Sequence, residues 1–169
     1  MAKAILITTT DLKKYSILNG NVDNDKFIQW IDISQDIHLQ EYLGTDLLVK
    51  IQSLLPDDIN LPANSDYLYL LDTYIKPMLI HWAMVEFLPF AAYTIANGGV
   101  FKHQPDSSIV VEKNEVDYLV EKHRDIAQSY TRRFIDYMCE NESLYPEYTS
   151  NTGSDINPKK ESDFGGWEL

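Results

Sequence analysis

The residues of this chain with the chemistry to ligate, exchange protons or attack are few. They are four histidines (His38, His81, His103 and His123), one cysteine (Cys139) and a carboxylate set inside an apolar run, Glu86. A structural zinc site needs Cys or His at short paired spacings, and a di-iron site in a helical bundle needs Glu-x-x-His pairs projecting into the core. Neither pattern occurs, nor does a His-x-x-x-His or Cys-x-x-Cys pair. The "GG" at 98–99 lacks the rest of either phosphate-cradling fingerprint, and no nucleophile elbow is visible. The expectation is of no metal, no cofactor and no catalytic residue.

Glu86 is the best candidate for a perturbed carboxylate, because burial favours the neutral acid. The structural reading is a hydrogen-bonded or ion-paired acid facing His81, five residues earlier; the chemical alternative is a helical enzyme using Glu86 and His81. His123 falls on the apolar face of its segment and reads as a satisfied core or interface histidine. Cys139, among Phe134, Tyr137 and Met138, reads as a small core residue.

The elements that must position these residues are mostly helical. "TTTDLKKYSIL" reads as a short helix capped by Thr9 or Thr10, with Asp11 in its first turn. After "NGN" at 19–21, a second helix should run from about Asp23 to a stop at Gly44. It carries one stripe of Phe27, Ile28, Ile31, Leu39 and Tyr42, and another of Trp30, Ile33 and Ile37 on roughly the opposite side. Such a helix needs two covers: a thick single-chain core, or its own core on one side and a neighbouring subunit on the other. "TDLLVKIQSLL" follows with Thr45 as its cap, then a polar loop with two prolines.

Ser65 or Asn64 caps a long apolar segment expected to stay helical to about Gly98, with breaks or bends at Pro77 and Pro89. From Met78 to Ala96 only His81 and Glu86 can carry charge, which raises the possibility of a membrane span. Those two residues near its centre, Pro89 and the lack of a flanking basic cluster argue instead for the central helix of a bundle. Val100–His103 and Ile109–Val111 are β-prone runs flanking "QPDS", a hairpin or protruding loop over about 100–112. The last helix begins near Asn114, with Val116, Leu119, His123, Ala127, Tyr130, Phe134 and Met138 at steps of three and four.

The fold class is therefore mainly α: a bundle of about four to five helices around a long, proline-kinked central helix. The helical domain spans 1–144, and an extended acidic tail spans 145–169. The formal net charge is −12, and residues 140–169 hold seven acids against two lysines. That balance argues against electrostatic capture of nucleic acid, which needs clustered Lys and Arg. A single cysteine excludes an internal disulfide framework, and the N-terminus lacks a secretory signal, so an intracellular setting, or a particle assembled inside a cell, is expected.

What remains is a set of signals for contact. The tail has little to bury along its length, yet carries Phe164 and Trp167, as segments do that order on binding. The interface candidates are Trp30, Ile33 and Ile37 on the second helix, Val100, Phe101, Ile109 and Val111 in the hairpin, and Tyr145, Tyr148, Phe164 and Trp167 in the tail. An acidic decoy that imitates DNA, or a regulatory binding protein, is the rival class.

The order of these elements, from "ITTTDLKKYSILNGNVDNDKFIQWIDISQDIHLQEYLGTDLLVKI" through "YIKPMLIHWAMVEFLPF" to "EVDYLVEKHRDIAQSYTRRFIDYM", resembles the helical head-tail connector proteins of tailed phages. The likeness is closest to the neck ring proteins of crAss-like phages and covers about residues 5–148. The resemblance implies a structural virion protein made in the host bacterial cytoplasm, with no enzyme activity and no membrane association. Copies, expected to number about twelve, would form a closed ring in the neck, against the portal and neighbouring neck or tail rings. DNA would pass through the channel without specific binding.

Overall fold

The computed structural model describes residues 3–16, 25, 27–91, 93–96, 99–102, 113–150 and 155–161, the residues of 93–102 by their backbone only. The first helix, α1 (Thr9–Tyr15), is capped by Thr8, ahead of both caps suggested by the sequence. Thr8 Oγ1 accepts from the Asp11 amide at 3.0 Å, and Asp11 Oδ2 accepts from the Thr8 amide at 2.9 Å. Thr8 wins because Asp11 then stands three residues on, where its carboxylate can reach back to close the box.

The second helix is described as α2 (Ile28–Ser34), a π turn over Gln35–Leu39, and α3 (Gln40–Leu43). In an unbroken α-helix Leu39 would lie about 80° round from Ile31. The wide turn absorbs one extra residue and brings Leu39 into line with buried Phe27, Ile31, Tyr42 and Leu43. Ile28, assigned to that stripe by periodicity, is exposed instead. Gln35, also buried, accepts from the Leu6 amide at 2.6 Å and donates to the Ala4 carbonyl, pinning the N-terminal segment to this helix.

Gly44 closes α3 with φ +75°, a conformation that costs a residue without Cβ little, and α4 (Thr45–Leu54) follows at once. Next, α5 (Ser65–Leu70), a π turn over Leu71–Ile75, α6 (Lys76–Phe87) and a 3-10 turn over Leu88–Phe90 run end to end. Pro77 does not break the run: it sits in the first turn of α6, directly after the π turn. Proline lacks an N–H and crowds the carbonyl one turn back, which the wider turn tolerates. The run ends at Phe90, beside Pro89, and not near Gly98.

Two strands, β1 (Tyr93–Ala96) and β2 (Gly99–Lys102), pair antiparallel with Tyr93 opposite Lys102 and Ala96 opposite Gly99. Strand β1 corrects the helix expected to run to about Gly98; in the hairpin expected over about 100–112, Val100–Lys102 lie in β2, and His103 and Ile109–Val111 lie outside the described residues. The residues between Ala96 and Gly99 are Asn97-Gly98, the dipeptide most suited to a two-residue hairpin loop, which the sequence reading takes for a helix stop.

The 29-residue α7 (Lys113–Asn141) buries Val120, His123, Ala127, Thr131, Phe134, Ile135 and Met138, a stripe at steps of three and four. Cys139 is exposed, a correction to its core assignment: Met138 takes the inward position, and the next residue is turned about 100° away. A 3-10 turn over Glu142–Leu144 leads into α8 (Pro146–Thr149), started by a proline at its first position. Helix α6 is the centre of the bundle. Eight of its residues are buried, since α7 packs along one side of it and α2 along another, with Phe27 edge-on to Phe87 at 6.0 Å.

Candidate functional site

Helix α6 presents two polar side chains near its middle, and each meets a different neighbour. His81 and Glu86 lie about 140° apart around the helix axis, too far round to face one another. Glu86 Oε1 instead lies 2.8 Å from Nε2 of His38, in the π turn that follows α2. The His38 ring is stacked flat on Trp82 at 4.0 Å, and Trp82 Nε1 donates to Thr131 Oγ1 of α7 at 3.2 Å. Thr131 in turn donates to the Ala127 carbonyl at 2.8 Å. A polar and aromatic chain thus ties α2, α6 and α7 together through the core.

His81 meets α7 one turn away. Its Nδ1 lies 3.0 Å from Nδ1 of His123, and its ring is parallel to Tyr130 at 5.8 Å. Burial first, and then the charge of His123, hold His81 down to about 4; burial lowers His123 too. His81 lines a cavity of about 600 Å³ with Asp11, Tyr15, Asp72, Lys76 and Tyr130, in which Lys76 is paired to Asp72 at 2.6 Å. No group of three or more His, Cys, Asp or Glu among the described residues is placed to hold a metal ion.

The interface candidates divide sharply. Trp30 and Ile33 are half-buried, and Ile37 is 55% exposed; Trp30 is stacked on Phe90, itself 54% exposed, at 4.6 Å. Of the three candidates, Ile37, in the π turn after α2, is the one fully on the outside. On another side of α6, α7 exposes Tyr118 and Ile126. Val100 and Phe101 lie in β2, while Ile109, Val111, Phe164 and Trp167 lie outside the described residues.

Tyr145 and Tyr148 are not surface residues, and the boundary drawn at 145 falls inside the helical body. Both are fully buried, because two large rings lose more apolar area to water than a short turn costs to order. Tyr148 is edge-on to Phe134 at 6.4 Å. The Tyr145 hydroxyl donates to the Asp66 carbonyl at 3.0 Å, which leaves Tyr137 to donate to it at 3.0 Å.

What sequence reasoning missed is where the chain goes next. Residues 155–160 form a strap across the corner between α3 and α4. The Thr45 amide donates to the Ile156 carbonyl at 3.0 Å, and the Ile156 amide donates to Thr45 Oγ1 at 3.1 Å. The Lys159 amide donates to the Glu41 carbonyl at 2.9 Å, and its Nζ pairs with the Glu41 carboxylate. Asp155 accepts from Gln40 and Thr45, and Lys160 pairs with Glu142 at 2.9 Å. Thr45 is therefore not the cap of α4; Gly44 holds that position, and the strap supplies the acceptor that a capping side chain would.

The match to known families covers residues 39–158, more than half of the chain, from the end of the first π turn to Pro158 in the strap. The chain belongs to DUF6712, a family of unknown function. The DUF6712 span takes in Gly44 and the strap as far as Pro158, stops before Lys159 and Lys160, and begins after Trp30, Ile33 and Ile37. No curated protein and no solved structure matches the chain. No helix among the described residues is long and apolar enough to cross a membrane.

Proposed function

We propose that this DUF6712 chain is a structural subunit of the virion, one copy in an oligomeric ring at the neck of a tailed phage, joining portal to tail and extending the DNA channel. The observation that carries the reading is the exposure of large apolar residues on different sides of α6: Ile37 in the π turn and Phe90 stacked on Trp30 at one, and Tyr118 and Ile126, eight residues apart on α7, at the other. A ring closes through head-to-tail contacts, in which two unlike patches of each copy meet, so a subunit needs two such surfaces. The acidic balance suits a duct through which DNA slides, because like charges repel phosphate. The enzyme alternative loses its proposed pair, since Glu86 and His81 are engaged by His38 and His123.

The test is the mass of the purified chain in solution, alone and with the cognate portal ring. A closed assembly of about twelve copies, formed alone or on the portal, is the expected result. A chain that stays monomeric in both settings, in particles that still join heads to tails without it, overturns the reading.

A further inference from the structure

His81 and His123 lie 42 positions apart in the sequence, on α6 and α7, so no spacing motif announces them as a pair. Packing of the two helices sets their Nδ1 atoms 3.0 Å apart, with the ring planes inclined at 35°. One hydrogen between the rings accounts for that distance, and so does one metal ion. Two nitrogens bound to a single ion at about 2.0–2.1 Å stand about 2.9 Å apart at a right angle and about 3.3 Å apart at the tetrahedral angle. The spacing in this chain falls inside that interval, nearer the right angle. One edge of a coordination shell is therefore laid out, on two long helices that hold each other through the core.

The surroundings suit an ion. Burial keeps both rings below the ordinary histidine range, so both are neutral at neutral pH, the state a metal ligand requires. Tyr130, parallel to His81 at 5.8 Å, fixes the plane of that ring. His81 also lines the cavity of about 600 Å³ beside exposed Tyr15, which gives an ion a way in and room for its remaining waters. The charged groups on the cavity wall are Asp11, Asp72 and Lys76, which together leave one negative charge, the sign a dication needs nearby.

We propose that His81 and His123 bind a divalent transition ion through their Nδ1 atoms, copper(II) before nickel(II) or zinc, with water in the remaining positions. Two protein donors fall short of the four that close a structural site, so the ion keeps open positions. The choice of metal follows from the spacing. Nitrogen donors near a right angle suit copper(II) and nickel(II), and copper(II) binds such donors most tightly. Zinc, which favours the tetrahedral angle, must push the rings about 0.3 Å further apart. On binding, the ion gives up two waters, and the ring that was donating moves its hydrogen from Nδ1 to Nε2 through solvent. Both Nδ1 lone pairs then face the metal, and no net proton is released at neutral pH. The ion takes the place of the shared hydrogen and clamps α6 to α7, so binding it stabilises the fold. The inference goes beyond the ring and does not rest on it.

The test uses the full chain with Cys139→Ser, because the exposed thiol is itself a copper ligand. It is titrated with Cu²⁺ alone, at neutral pH in a buffer that does not coordinate the ion. The expected result is a first equivalent bound through imidazole nitrogen, read by electron paramagnetic resonance. Its affinity should fall by about a hundredfold or more in His81→Gln and in His123→Gln, since either change ends chelation by the pair. Circular dichroism reports whether each variant keeps its fold. A second measurement needs neither variant: on adding a small fraction of an equivalent of Cu²⁺, the ring resonances of His81 and His123 should broaden before those of His38 and His103. Equal affinity in the parent chain and both folded variants overturns the proposal, as does broadening that begins at His38 or His103, or failure to take up Cu²⁺ at all. None of these readouts depends on assembly, so failure here leaves the ring reading standing.

Discussion

Nδ1 of His81 and Nδ1 of His123 stand 3.0 Å apart across the seam between α6 and α7, close enough to share one hydrogen and too close to hold two. One imidazole donates and the other accepts, so the pair is satisfied while at least one ring is neutral. Both rings are held below the ordinary histidine range, His81 to about 4. In the unfolded chain each takes a proton near its usual value, about 6.5. The unfolded state therefore binds more protons in this window, and stability falls as pH drops from about 6.5 toward 4. Urea midpoints across that range, for the native chain and for His81→Asn with His123→Asn, should differ in slope. A native slope no steeper than the variant's would show that the pair does not titrate on unfolding.

Gly44→Ala should destabilise the chain by about 1–3 kcal/mol, because φ is +75° there and an L side chain adopts that conformation at a cost. The new Cβ would also stand 2.7 Å from Pro158 Cδ and 3.3 Å from the Ile156 carbonyl oxygen, so the strap must lift. Denaturant midpoints measure the first effect, and faster amide exchange at Thr45 and Lys159 reports the second. An unchanged exchange rate at both amides would contradict the fit described here.

Thr131→Val removes the acceptor for Trp82 Nε1 inside the core while keeping the side-chain shape. The orphaned indole donor should cost about 1–3 kcal/mol. Adding Trp82→Phe removes the donor as well, so the two changes together should cost less than the sum of each alone, a coupling that a double-mutant cycle reads directly.

Tyr148→Phe should go the other way. The ring is buried, and its hydroxyl has no hydrogen-bond partner among the described residues. Burial, with Cys139 and Glu142 nearby, pushes the phenol up to about 12. Trading the hydroxyl for hydrogen keeps the contact with Phe134 and removes an unpaired polar group, so stability should hold or rise by up to about 1 kcal/mol. Thermal unfolding decides it.

The long elements were legible because their signal is local. The stripe of α7 repeats at steps of three and four, and α6 is apolar on every side, as a central helix must be. The mainly α fold follows from those two. The failures have equally physical causes. A π turn shifts the inward face by one residue in response to packing, so strict periodicity put Ile28 inside. Partners of buried polar groups depend on which helices meet: His38 and His81 were visible as residues, but Glu86 and His123 as their respective partners were not. Tyr145 and Tyr148 sit in a polar-looking stretch that reads as tail until α4 and α7 supply walls for them. Strand β1 is hidden in the sequence because Tyr93–Ala96 continue the apolar run of α6 without a polar break, so the pattern reads as helix up to Asn97-Gly98.

The strap contact between Thr45 and Ile156 spans 111 positions of sequence. The amide at the head of α4 therefore waits for an acceptor that the ribosome makes long after α4 itself. Until then the corner at Gly44 is an open helix end, and α4 can fray from it. Nascent chains stalled before Asp155 should therefore show an unprotected α4 while α6 and α7 are already packed.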